Sequence, residues 1–106
     1  MTDFIEAVVT LLPREAGGRQ NPVSPRDGSY RPYLGSSRGE RFPVTFIEGP
    51  PTLSPGDTAR VVLEIASWDA TAATLVSGAE LELFETDASA IGLVTVARVV
   101  RAALAL

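Results

Sequence analysis

Residues 58–66, Thr58-Ala59-Arg60-Val61-Val62-Leu63-Glu64-Ile65-Ala66, decide the fold of this chain. Ala59, Val61, Leu63 and Ile65 recur at every second position, with Thr58, Arg60 and Glu64 between them. A period of two belongs to a strand with one wet face, because successive side chains point to opposite sides. Working outward, the period returns in Ile5-Glu6-Ala7-Val8-Val9-Thr10-Leu11-Leu12, where Ile5, Ala7, Val9 and Leu11 point one way and Pro13 ends the run. It returns again in Ala79-Glu80-Leu81-Glu82-Leu83-Phe84-Glu85, with Leu81 and Leu83 inward. Residues 91–100 are β-branched and apolar on both sides, which suits a strand covered on both faces or one that meets a partner.

Turn chemistry separates these runs. Gly17-Gly18 supplies positive φ, and Ser54-Pro55-Gly56-Asp57 sets Pro and Gly side by side as type II turns prefer. Thr86-Asp87-Ala88-Ser89 is a short polar break that reads as a hairpin. Residues 13–41 are rich in Gly, Pro, Ser and Arg with little periodicity, a long connection of the kind that carries function or mobility. The last run reads as a strand to about residue 100 with a frayed end, and a helix over residues 96–106, with Arg98 and Arg101 on one face, is the alternative. Five to six short strands with no helix long enough for a crossover predict an all-β protein. The expected form is a small closed six-stranded antiparallel barrel of Greek-key type, spanning residues 1–106 as a single domain.

Composition narrows the chemistry. The chain has 106 residues and a net charge of −4. Residues 1–41 hold six Arg and five acids, and residues 42–106 hold three Arg and eight acids, so the halves carry +1 and −5. An acidic domain repels polyphosphate on average. Absence of Cys removes disulfides, thiol catalysis and thiolate metal sites, and absence of His removes the usual general base and transition-metal ligand. No Lys is present either, so a Ser nucleophile has neither of its common activators. No catalytic residue, metal or cofactor is expected. The acidic N-terminal Met-Thr-Asp-Phe-Ile-Glu lacks a basic n-region, and the apolar stretch 90–106 is interrupted by Arg98 and Arg101. Neither predicts export or a membrane span, and a cytoplasmic location is the expectation.

The order of the motifs adds to this. Glu15-Ala16-Gly17-Gly18-Arg19-Gln20-Asn21-Pro22 follows the first strand; then come Tyr30-Arg31-Pro32, Pro55-Gly56-Asp57, the long alternating strand, and Ile91-Gly92 in a final hairpin. The series resembles the C-terminal β-barrel domain of elongation factor Tu and related translation factors. That family carries Glu-Gly-Gly-Arg-His-Thr-Pro, Gly-Tyr-Arg-Pro, Pro-Gly-Asp and Val-Gly segments in the same order, and the match runs over residues 4–100. The resemblance implies a six-stranded antiparallel barrel that is not catalytic. In the family it helps to hold the acceptor and T-stem region of aminoacylated tRNA and packs against a GTPase domain. No phosphate-binding Gly-x-x-x-x-Gly-Lys-Ser/Thr loop occurs in this Lys-free chain, so GTP is not an expected ligand. The family's Arg-Glu-Gly-Gly-Arg-Thr hairpin is here Glu85-Thr86-Asp87-Ala88-Ser89-Ala90, without the cations and close-approach glycines that a phosphate contact uses.

The candidate binding residues are Arg19, Gln20, Tyr30, Arg31 and Tyr33, within a wider set of Arg14, Arg26, Arg38 and Arg41. They read as an Arg-aromatic loop face that engages an anionic partner, or as a solvated loop in which Arg pairs with Glu15, Asp27 and Glu40. For Arg19 and Arg31, pinning the long loop across the barrel competes with ligand contact. Glu80, Glu82, Glu85 and Asp87 read as a solvated acidic face. Trp68 is a plug for one barrel end or an exposed anchor. The functional expectation is a non-enzymatic interaction module that engages a protein partner or self-associates through the strand at residues 93–100. The alternative is a tRNA- or RNA-binding module that uses the Arg-rich loop of residues 14–41.

Overall fold

The computed structural model describes residues 3–26, 28–35, 41–65, 76–85 and 89–100. The alternating runs form strands, with their apolar half turned to the core. β1 is Asp3–Leu11, β2 Tyr33–Gly35, β3 Arg41–Pro43, β4 Thr45–Glu48, β5 Thr58–Ile65, β6 Glu80–Phe84 and β7 Gly92–Val100. They join in one antiparallel sheet of order β3-β2-β6-β7-β1-β5-β4. β1 lies in the middle, with Ile5 opposite Leu63 of β5 and Val9 opposite Val94 of β7.

This corrects the closed six-stranded barrel. The sheet has seven strands and curls into an open half-barrel whose edges are β3 and β4. The change of partner lies at Val44. Its N–H donates to the Pro32 carbonyl, but Pro32 has no N–H to return the bond, so the regular ladder with β2 ends and the chain resumes as β4 against β5. Residues 41–48 therefore supply both edges of one sheet. Between them, the Val44 and Phe46 N–H groups donate to the Pro32 and Tyr30 carbonyls, each at 3.0 Å.

The long connection is not structureless, as its low periodicity implied. Val23 and Leu53 exchange backbone hydrogen bonds of 2.9 and 2.8 Å, and both side chains are buried. Along β7 the expected double cover is absent. Gly92, Val94 and Val96 are buried, while Leu93, Thr95, Arg98 and Val100 are exposed. The hairpin residues 86–88, Trp68 and the tail after residue 100 lie outside the described residues.

The core gathers the inward positions: Ile5, Val9, Leu11, Leu34, Phe46, Leu63, Leu83 and their neighbours. No polar side chain is buried in it among the described residues. Each large apolar side chain so enclosed contributes about 1.5–3 kcal/mol. The Pro55-Gly56 turn docks the end of β1. Gly56 takes φ +91°, the Asp57 N–H donates to the Ser54 carbonyl at 2.9 Å, and the Gly56 N–H donates to the Leu11 carbonyl at 2.9 Å. No described helix is long and apolar enough to cross a membrane.

Candidate functional site

Three side chains from distant parts of the chain meet on the inward side of the sheet. Their placement begins where β1 ends. Pro13 cannot extend the ladder, so the chain turns through a 3-10 segment, Arg14–Ala16, capped by Gly17 in the left-handed region at φ +91°. Gly18 then passes so close to β1 that a Cβ there would lie 2.0 Å from the Leu12 carbonyl oxygen. Only glycine fits that approach. Arg14 Nε donates to the Gln20 carbonyl at 2.7 Å and ties the reversal together. Arg19 stands between these fixed points.

Tyr30 arrives from the segment that runs beside Val44 and Phe46. Its ring meets Phe46 edge-on, with centroids 5.0 Å apart at 62°. Its hydroxyl donates to Glu85 Oε2 at 2.5 Å. Glu85 follows β6 and continues the inward series of Leu81 and Leu83. Arg19 Nε lies 2.9 Å from the same oxygen. The Nε–H is not aimed along that line, and both Nε and Nη1 are buried without a hydrogen bond among the described residues. Charge rather than a directed bond holds Arg19 there. Its guanidinium also lies 5.5 Å from the Tyr30 ring centroid. Burial first, then the Glu85 hydrogen bond and Glu85's negative charge, raise the Tyr30 hydroxyl well above the ordinary tyrosine range, against a smaller lowering by Arg19.

The five candidate residues thus divide. Arg19 and Tyr30 come together on Glu85, while Gln20 is exposed and engaged through its carbonyl. Arg31 is exposed, with Nε donating to the Gly28 carbonyl at 3.2 Å. Tyr33 points outward from β2 and is 42% exposed. Glu85 was read from sequence as part of a solvated acidic face. The alternation of Leu81, Leu83 and Glu85 was the signal that it turns inward. Arg19 finds this carboxylate across the fold, not within its own loop.

Tyr33 belongs to a second cluster on the outer face. It sits opposite both Pro43 and Phe84. Phe84 is only 6% exposed yet is not part of the core cluster. The Arg41 guanidinium covers it, 3.7 Å from the ring centroid. Arg41→Ala is expected to cost about 1 kcal/mol through lost stacking and an uncovered ring, read from the urea midpoint. An unchanged midpoint would show that Arg41 does not shelter Phe84.

A third feature is a groove of about 510 Å³ on the outer face of β7, β1, β5 and β4. Phe4, Ile47, Val62 and Val100 give its apolar lining, and Glu6, Glu48 and Arg98 its charges. Arg98 is paired with Glu6, its Nε 2.7 Å from Glu6 Oε2 and its Nη2 on the same oxygen. Glu80 and Glu82 lie on the outer side of β6, opposite Thr95 and Leu93. No group of three potential metal-ligating side chains occurs among the described residues. No protein-family model matches the chain, and no curated protein matches it.

Proposed function

We propose that this chain is a non-enzymatic protein-binding module built on a translation-factor-like β scaffold, and that it engages its partner through the outer groove. The observation that carries the reading is the groove itself. Phe4, Ile47, Val62 and Val100 present apolar surface on the wet side of the sheet, where a strand facing only water would be polar. The inner polar cluster offers less to a ligand, because Arg19, Tyr30 and Glu85 already satisfy one another's charge and hydroxyl. The translation-factor relationship rests on the order of the sequence motifs.

Capture from an extract of the native cells tests the reading. The unmodified chain is expected to retain a protein partner, itself included, and Val62→Glu to retain about tenfold less, since a carboxylate in the apolar centre, between Glu6 and Glu48, is left desolvated and unpaired. Equal recovery by both chains, or none by either, would remove the groove from consideration.

One observation favours RNA as a second reading. Half-exposed Tyr33, exposed Arg31 and the Arg41–Phe84 stack share the β2–β3 region and resemble a base-stacking surface. It predicts a tRNA mobility shift that fades steeply with salt and weakens in Arg31→Glu. Arg31 is the suitable position because Arg19→Glu would also drive a second carboxylate against Glu85. No shift at low salt would dispose of this reading.

A further inference from the structure

We infer that the outer groove binds a second copy of this chain about a twofold axis, with Arg98 of each copy against Glu48 of the other. The inference rests on the protein-binding reading above and names the partner. Register aligns four outward positions in one row across the sheet. Arg98 of β7 stands opposite Glu6 of β1, Glu6 opposite Val62 of β5, and Val62 opposite Glu48 of β4. In the neighbouring row, Val100 stands opposite Phe4 and Phe4 opposite Glu64.

The groove therefore has a cation on one flank and a carboxylate on the other, with Phe4 and Val62 between them and Glu6 already paired with Arg98. Glu48 is exposed, and its carboxylate is in neither of the ion pairs found among the described residues. The Arg98 side chain is 70% exposed, and its Nε and Nη2 share a single Glu6 oxygen. A guanidinium has five N–H donors, so Arg98 keeps several for another carboxylate. Within one chain the two flanks are separated by three strand spacings, roughly 14 Å, too far to pair.

A twofold axis in the plane of contact, running along the strands midway between β1 and β5, exchanges β7 with β4 and β1 with β5. It keeps each row in place. Arg98 then falls on Glu48 of the other copy, and Glu48 on its Arg98. An isologous contact requires this kind of self-complementarity. A purely cationic ligand would meet Arg98, and Arg60 further along β5; a purely anionic one would meet Glu6, Glu48 and Glu64. The mixed row suits a partner with the same mixed row.

The Cys-free sequence permits a clean test. Glu48→Cys and Arg98→Cys are made as separate chains, folded, mixed in equal amounts and treated with a thiol-reactive bismaleimide of about 10 Å span, the spacing of sheets packed face to face. This axis brings position 48 of one chain within that reach of position 98 only between one chain of each kind, because two copies of the same position stay apart by three strand spacings as well. The mixture is expected to give a covalent dimer at least about tenfold faster than either variant alone. Sedimentation equilibrium of the unmodified chain should show a dimer at micromolar concentration, weakened by salt and by Glu48→Arg. Equal cross-linking by the single variants, or a strict monomer at hundreds of micromolar, overturns the proposal. A monomer that still captures a partner in a Val62-dependent way leaves the protein-binding reading standing without the second copy. A monomer that captures nothing removes both.

Discussion

Replacing Gly18 with alanine is expected to destabilise the fold by about 3 kcal/mol, seen as a large fall in the urea midpoint at unchanged slope. The added Cβ would lie 2.0 Å from the Leu12 carbonyl oxygen, 2.7 Å from its carbon and 2.8 Å from the Pro13 oxygen, all backbone atoms. No side-chain rotation relieves such a contact. Either β1 gives up its last residues or the loop lifts away and takes Arg19 off Glu85. The neighbouring glycine is the control. Gly17 has open space around its Cβ position and pays only for its left-handed φ of +91°, so Gly17→Ala should cost about 1 kcal/mol. Equal costs at the two positions would show that steric approach is not what Gly18 provides.

The second large effect is expected in alkali. Tyr30 holds its proton more tightly in the folded state than in the unfolded chain, where tyrosine ionises near pH 10. The sign follows from proton counts. Below about pH 9 both states keep the proton and Tyr30 contributes no pH dependence. Above about pH 10 the unfolded chain loses its proton while the folded one keeps it, so stability falls by about 1.4 kcal/mol per pH unit. The loss continues until the folded hydroxyl itself ionises. Tyr30→Phe should remove this slope while costing about 1–2 kcal/mol at neutral pH, because Glu85 loses a donor. Urea unfolding of both chains between pH 8 and 11 measures both quantities. An undiminished slope in Tyr30→Phe would assign the alkaline loss to another group.

The long strands were legible because their packing is written into a single periodicity. In β1, β5 and β6 every second residue meets the core, and the alternation of Ile5, Val61 or Leu81 with polar neighbours shows which side is inside. β2 and β3 were not legible. Each has three residues, set among Pro32, Gly35 and Pro43, and no local pattern of that length separates a strand from a loop. Leu34 is in the sheet because Leu83 lies opposite it, a tertiary fact. The same reason hid the open edge, since composition does not show where the ladder breaks at Val44. At the inner cluster, Arg19 and Tyr30 stood out by residue type, whereas Glu85 looked like one more surface acid. Its role comes from a register that brings the end of β6 to a loop 55 residues earlier.

The position of β1 has a consequence for how the chain reaches this shape. Phe4 lies beside Val100 and Leu11 beside Gly92, so the central strand is completed by partners from the opposite end of the described chain. Closing so long a loop is entropically slow, and topologies dominated by distant contacts fold in milliseconds to seconds. During synthesis β1 and β5 can associate early, but the flank of β1 that belongs to β7 stays open until residues 92–100 have left the ribosome. For that interval Val8 and Thr10 sit on a bare strand edge, the feature that invites mispairing between nascent chains.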